Sequence, residues 1–190
     1  MADVHERLNQ ALDRMLQDSF LQGRGLGNEI AFYIFDYSPE EELTVRERLG
    51  GIVPDISRKR PDLRVCHINL FELILEHLAE RGLMEKALEM QLSKGDTALL
   101  NALAAPLKAE NLARLFETAA RPQEQDLVLL SGVGMSYPLV RSHALLNNLH
   151  PLMGQTPLVL FFPGSYDGQT LRLFGRLRDD NYYRAFKLVA

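Results

Sequence analysis

Ile30-Ala31-Phe32-Tyr33-Ile34-Phe35, followed by Asp36-Tyr37 and then Ser38-Pro39-Glu40-Glu41, is the stretch on which the fold turns. Its first six residues form a near-continuous apolar run, the pattern of a strand covered on both faces. Ser38 then offers a cap, Pro39 sits at the first helical position and Glu41 completes a capping box, so a helix follows the strand at once. Leu43, Leu49, Ile52 and Ile56 continue that helix, while Gly50-Gly51 and Pro54 predict a kink or a split.

The same alternation repeats outward along the chain. Leu63–Ile68 reads as a second strand and Leu70–Arg81 as a helix with Gly82 just past its end. Helical spacing continues over 83–93 and 97–119, punctuated by Gly95 and Pro106. Asp126–Leu130 is a third strand. Pro138–Leu149 is predicted as a helix that stops before Pro151, because the residue preceding a proline disfavours helical geometry. Leu158–Phe162 is a fourth strand, and 169–189 is expected to hold one or two short strands. Toward the N-terminus, Val4, Leu8, Ala11, Leu12, Met15 and Leu16 lie on one face of an amphipathic helix, and the glycines of 23–27 break the pattern.

Strands alternating with helices predict an α/β fold: one open, mostly parallel sheet of about four to six strands with helices on both faces, Rossmann-like or degenerate P-loop-like. A chain of 190 residues suits a single domain spanning 1–190. In such sheets the functional crevice lies at the carboxyl ends of the strands. Asp36-Tyr37, Asn69, Ser131-Gly132-Val133-Gly134 and Pro163-Gly164 arrive there.

Composition narrows the function classes. One cysteine, Cys66, excludes an intrachain disulfide and suits a reducing compartment. The N-terminal residues lack the basic start and apolar run of a signal peptide, and no stretch approaches a membrane span, so a cytoplasmic protein is expected. A net charge of −4 argues against DNA binding by bulk charge, although 167–190 carries +2.

Tested for chemistry, the chain offers little. Gly132 and Gly134 follow a strand and precede a helix, the context of a phosphate-cradling turn, but Tyr137 stands where G-x-G-x-x-G needs its third glycine. Gly132 and Gly134 are thus weak nucleotide candidates, with a plain tight turn as the alternative. Ser131 has Leu129 where a G-x-S-x-G elbow needs glycine. Cys66 and His67 are strand neighbours pointing to opposite faces, and no H-E-x-x-H or C-x-x-C occurs. No catalytic residue, cofactor or metal is expected, and the chain is not expected to act as an enzyme alone.

Two segments suit contact with other proteins. Arg141, His143, Asn147 and Asn148 place polar groups on the helix after the Gly132/Gly134 turn, with a solvated face as the alternative. Phe174, Arg176, Arg178, Tyr182, Tyr183 and Arg184 combine aromatics and arginines, the types enriched at interface hot spots. An edge hairpin with core aromatics is the alternative there, and Asp179 and Asp180 make protein a better partner than nucleic acid.

Three ordered stretches carry a resemblance. Gly25-Leu26-Gly27-Asn28-Glu29-Ile30 runs into Phe35-Asp36-Tyr37-Ser38-Pro39. Gly132-Val133-Gly134 is followed by Tyr137-Pro138-Leu139-Val140-Arg141-Ser142-His143 and Leu146-Asn147-Asn148-Leu149. Phe161-Phe162-Pro163-Gly164 is followed by Phe174-Gly175-Arg176-Leu177 and Asp179-Asp180-Asn181-Tyr182-Tyr183-Arg184-Ala185-Phe186. Together, from about residue 20 to the end, they resemble the BrxB family of BREX (bacteriophage exclusion) defence systems. Gly50-Gly51 and Pro54 depart from the family pattern.

The resemblance implies a small component of a multi-gene system that methylates host DNA and blocks phage propagation. It implies partners among a PglZ-type protein related to alkaline phosphatases, foremost, a large AAA-type ATPase and a DNA methyltransferase. It brings no catalytic residues. The function expected is a non-catalytic accessory or adaptor subunit that meets nucleic acid only through the complex. A degenerate nucleotide-binding switch using Gly132-Val133-Gly134, and a DNA-binding accessory protein, stay open as alternatives.

Overall fold

The computed structural model describes residues 3–22, 31–178 and 185–189. The glycine-rich stretch at 23–27 and the candidates Tyr182, Tyr183 and Arg184 lie outside them, as does the side chain of Arg178.

The N-terminal amphipathic helix is α1, Val4–Met15, followed by a short α2, Asp18–Leu21. The deciding strand is β1, Phe32–Tyr37, buried at all six positions. The capping box at Ser38 forms as predicted, with a tight turn over Pro39–Glu41 before α3, Glu42–Gly50. The chain then splits at Gly51 into α4, Ile52–Lys59. Pro54 sits in the first turn of α4, where its missing N–H would have no helical partner anyway.

β2, Val65–Asn69, leads into α5, Leu70–Glu80, whose first turn is capped by the Asn69 side chain accepting from the amides of Phe71 and Glu72. In α6, Met84–Leu103, Gly95 adopts φ +80° and breaks the helix where the sequence predicts. α7, Ala109–Ala120, precedes β3, Leu127–Ser131.

Several boundaries depart from expectation, three of them by four residues. The helix placed at Pro138–Leu149 is α8, Ser142–Met153. Its start is later because Ser136 turns back on Gly132, with Ser136 N–H and Oγ both on the Gly132 carbonyl at 3.1 and 2.8 Å. Its end is later because Leu149 and Met153 are both buried, and covering them outweighs the one ladder hydrogen bond lost at Pro151. The fourth strand is also longer: β4, Leu158–Tyr166, runs through Pro163 and Gly164.

Among the described residues five strands run parallel in the order β2-β3-β4-β1-β7, with β7 at Phe186–Lys187. β5, Leu171–Leu173, and β6, Leu177–Arg178, extend the far half of β4 as an antiparallel hairpin. The fold is α/β with a mostly parallel open sheet. Its order differs from both the 3-2-1-4-5-6 and the 2-1-3-4-5 windings.

Strand alternation divides the core. Phe32, Ile34, Val128, Leu130, Leu158 and Leu160 pack on one face beneath α5, α7 and α8. Tyr33, Phe35, Leu127, Leu129, Val159 and Phe161 pack on the other beneath α1, α3 and α4. No helix among the described residues is long and apolar enough to cross a membrane.

Asp36, buried on β1 between β4 and β7, joins three parts of the chain. Its Oδ1 accepts from Arg7 Nη2 of α1 at 3.2 Å. Its Oδ2 accepts from the Tyr166 amide at 2.9 Å and pairs with Lys187 Nζ at 3.1 Å. Asp36→Ala is expected to cost about 3 kcal/mol, because it strands a nearly buried arginine and an amide. Lys187→Ala, with its more exposed cation, should cost under about 1 kcal/mol. Urea titration of the two variants checks the ratio.

Candidate functional site

All the residues that the parallel register sends to the carboxyl ends of β1, β2, β3 and β4 share one end of the sheet. Two hollows open there.

The first, about 690 Å³, lies between the ends of β1 and β4 and is lined by Arg7, Asp36, Ser38, Glu41, Ser165 and Lys187. In a phosphate-binding fold the amides at the helix start beyond the strand would face an anion. Here the Ser38 amide donates to Oε2 of Glu41 at 3.1 Å, and the Ser38 hydroxyl donates to Glu40. The chain thus supplies its own carboxylates to that turn. The Ser38 hydrogen bond, with the charge of Arg176 as a smaller contribution, holds the Glu40 carboxyl below its ordinary range. Behind the hollow, Tyr37 donates to Glu42 Oε2 at 2.7 Å, and burial pushes its phenol well up.

The second hollow, about 540 Å³, lies between α3 and the ends of β2 and β3, with Arg46, Glu47, His67, Asn69, Glu72 and Ser131 on its walls. Leu43 of α3 borders it with 74% of its surface exposed. At its floor His67 Nε2 and Ser131 Oγ are 2.8 Å apart. Burial lowers the His67 pKa from its ordinary 6.5, against a smaller upward pull from Glu72. Neutral His67 can accept the Ser131 proton. Glu72 Oε1 is itself engaged by Asn69 Nδ2 at 2.9 Å, and among the described residues no third group hydrogen-bonds His67.

The glycine turn packs against its own protein. Gly132 has φ +78°, and a Cβ there would meet Asn69 Oδ1 at 2.1 Å. A Cβ on Gly134 would meet Pro163 Cγ at 2.7 Å and Phe174 Cε1 at 3.2 Å. Both glycines allow close approach of the Asn69 cap and of the Pro163–Phe174 corner.

That corner unites the two segments picked out for protein contact. Phe174, half-buried at the β5–β6 turn, meets Tyr137 edge-on at 6.2 Å between centroids. The Arg141 guanidinium lies 5.7 Å over the same Tyr137 ring. Arg141 and Arg176 are exposed. His143 is half-buried and Asn147 exposed on α8, while Asn148 donates to the Ala144 carbonyl at 2.8 Å within the helix. Arg141 stands at the N-cap position of α8 rather than within it, whereas the sequence places it on the helix with His143, Asn147 and Asn148. Cys66 is half-buried on the opposite face from His67, and burial pushes its thiol up.

Two participants were not singled out from sequence. The sequence presents Tyr137 as the residue standing in for a third glycine and as part of the resembling stretch; an aromatic four residues before an arginine is the further signal for its contact with Arg141. His67 was weighed only as a metal ligand. Its partnership with Ser131 depends on β2 lying beside β3, which no local pattern states.

Two expectations test this end of the sheet. Gly132→Ala should cost about 2–4 kcal/mol with no ligand present, from left-handed strain plus the clash with the Asn69 cap, read as a fall in thermal midpoint. For His67, the folded state binds fewer protons than the unfolded state below pH 6.5, so stability falls as pH drops from 6.5 toward the depressed folded pKa. His67→Gln should flatten that part of a stability profile recorded between about pH 5 and about pH 7.

Comparison with known proteins agrees with the resemblance. The family model described as BREX protein BrxB matches residues 66–188. A protein named BREX protein BrxB from Bacillus cereus (strain H3081.97) is 43% identical over 191 residues, covering 100% of this chain and 99% of its own length. Another of that name from Escherichia coli O9:H4 (strain HS) is 39% identical over 183 residues, covering 96% of this chain and 90% of its own length. No solved structure matches. The chain therefore belongs to the BrxB family of BREX phage-defence proteins.

Proposed function

We propose that this chain is a non-catalytic adaptor subunit of a BREX-type complex. It contacts other system proteins, foremost the PglZ-type protein, through the surface built on Arg141, Tyr137, Phe174 and Arg176. The AAA-type ATPase and the methyltransferase are the further partners of this kind, and nucleic acid is met only through the complex. One observation carries the proposal. Two segments more than thirty residues apart, each rich in interface-type residues, converge on the Arg141–Tyr137–Phe174 stack.

The stack suits recognition energetically. An arginine held over an aromatic ring loses less freedom on binding than a free one, and its fork remains available for bidentate contact with a carboxylate. The Gly132-Val133-Gly134 alternative draws no support from the turn, whose glycines are filled by Asn69, Pro163 and Phe174.

Charge reversal tests the surface. With purified PglZ-type protein as the probe, Arg141→Glu and Arg176→Glu should each cost about 2 kcal/mol of binding, roughly a thirtyfold rise in Kd. Melting temperatures should hold, since both side chains are exposed. Unchanged affinity in a folded double variant would remove this surface from the interface.

A further inference from the structure

Among the described residues β2 forms one edge of the sheet, with β3 as its neighbour. Its register sets Val65 against Leu127, and the Leu127 amide donates to the Arg64 carbonyl at 3.3 Å. A parallel ladder of that phase turns the N–H and C=O of Cys66 and Ile68 toward β3. It leaves the amides of Val65, His67 and Asn69, and the carbonyls of Val65 and His67, directed off the edge. Among the described residues none of these five groups has a hydrogen-bond partner.

Proteins normally blunt such an edge with lysine, proline, a bulge or a covering segment. Val65-Cys66-His67-Ile68-Asn69 carries no lysine, proline or glycine, and all five residues are only half-buried. The cation just before it, Arg64, is held by Asp126 at 3.0 Å.

The two sides of the edge differ in chemistry. Cys66 and Ile68 join the apolar core beneath α5 and α7. His67 and Asn69 face the groove that also holds Ser131, Arg46, Glu47 and Glu72. One fixed cation against two carboxylates gives that groove a formal charge of −1.

We infer that the β2 edge takes up an extended segment of a partner protein as an added strand, with a basic side chain in the His67–Ser131 groove and apolar neighbours over Cys66 and Ile68. Unpaired main-chain groups call for an extended backbone, and the alternating faces select an apolar–basic–apolar pattern. A second copy of this chain fits less well. Antiparallel pairing of β2 with itself about His67 would set two negative grooves side by side on one face. The inference uses none of the Arg141–Phe174 surface, so failure of either leaves the other standing.

Hydrogen exchange of the full-length protein tests it, with the capped peptide Ser-Thr-Val-Arg-Val-Thr-Ser as the probe at millimolar concentration. The amides of Val65, His67 and Asn69 should slow by at least about fivefold, the factor expected when peptide exceeds its Kd severalfold. Replacing the peptide arginine by glutamate should abolish most of that protection. His67→Pro removes an outward amide while leaving the β3 ladder intact, and should also abolish it. Retained protection of the Cys66 and Ile68 amides shows that this variant is folded. Should it not fold, the arginine and glutamate peptides decide on the unaltered protein. No slowing with the arginine peptide overturns the inference, as does equal slowing with the glutamate peptide. Protection that grows with protein concentration and no peptide assigns the edge to self-pairing and overturns it as well.

Discussion

A carboxylate buried near the carboxyl end of β1 is the constraint on which this molecule's architecture depends. Asp36 is 6% exposed, and removing a charge from water costs several kcal/mol unless paired and hydrogen-bonded partners compensate. Arg7 from the first helix, Lys187 from the last strand and the Tyr166 amide from β4 supply that compensation. The Arg7 guanidinium also lies 4.9 Å over the Phe35 ring, so the same head that pairs with Asp36 makes a cation–π contact. The N-terminal helix is further tied to the last strand by Arg14, which donates to the Lys187 carbonyl at 3.3 Å. α1 and β7 are thus drawn to one point beside β1. The carboxyl end of the sheet is thereby held from two directions.

From there a continuous series of contacts runs across that end. The Asn69 side chain caps α5 and presses on Gly132; Gly134 lies under Pro163 and Phe174; Phe174 meets Tyr137, and Tyr137 carries Arg141. Each contact depends on a missing Cβ or a fixed ring plane. The His67–Ser131 groove and the arginine surface are thus both anchored to the segment from Ser131 to Arg141. Rigid placement of polar side chains lowers the ordering cost of recognition. Gly132 and Gly134 in the strand–helix turn lie close against Asn69, Pro163 and Phe174.

How far the sequence foretold this varied with the range of the interaction. Ser38, Pro39 and Glu41 announced the helix start because capping is a matter of four residues, and Gly95 announced the break in α6 for the same reason. The strand ends carrying Asn69 and Ser131 were legible from apolar runs and the parallel pattern. The start of α8 was not. Pro138 looked like a first helical residue, but the Ser136-to-Gly132 hydrogen bonds use the chain differently. Its end was misread because burial of Met153, a tertiary effect, overrode the local penalty of Pro151. The His67–Ser131 pair and the threefold clamp on Asp36 were invisible, since both depend on which strands become neighbours. Arg141 and Phe174 were picked out separately, but their union through Tyr137 needed the fold.

Strand order also explains why the two proposed contact regions can coexist on so small a body. β2 occupies an outer edge, whereas the Tyr137–Phe174 corner hangs from β3 and β4 nearer the centre. The edge offers main-chain hydrogen bonds, which are directional but carry little side-chain information. The corner offers stacked arginine and aromatic side chains, which discriminate among partner surfaces. Two modest contacts within one partner reinforce each other, since the second becomes intramolecular once the first has formed. The sheet fixes the direction of one such contact relative to the other, because β2 and the strands that carry the corner belong to one hydrogen-bonded sheet.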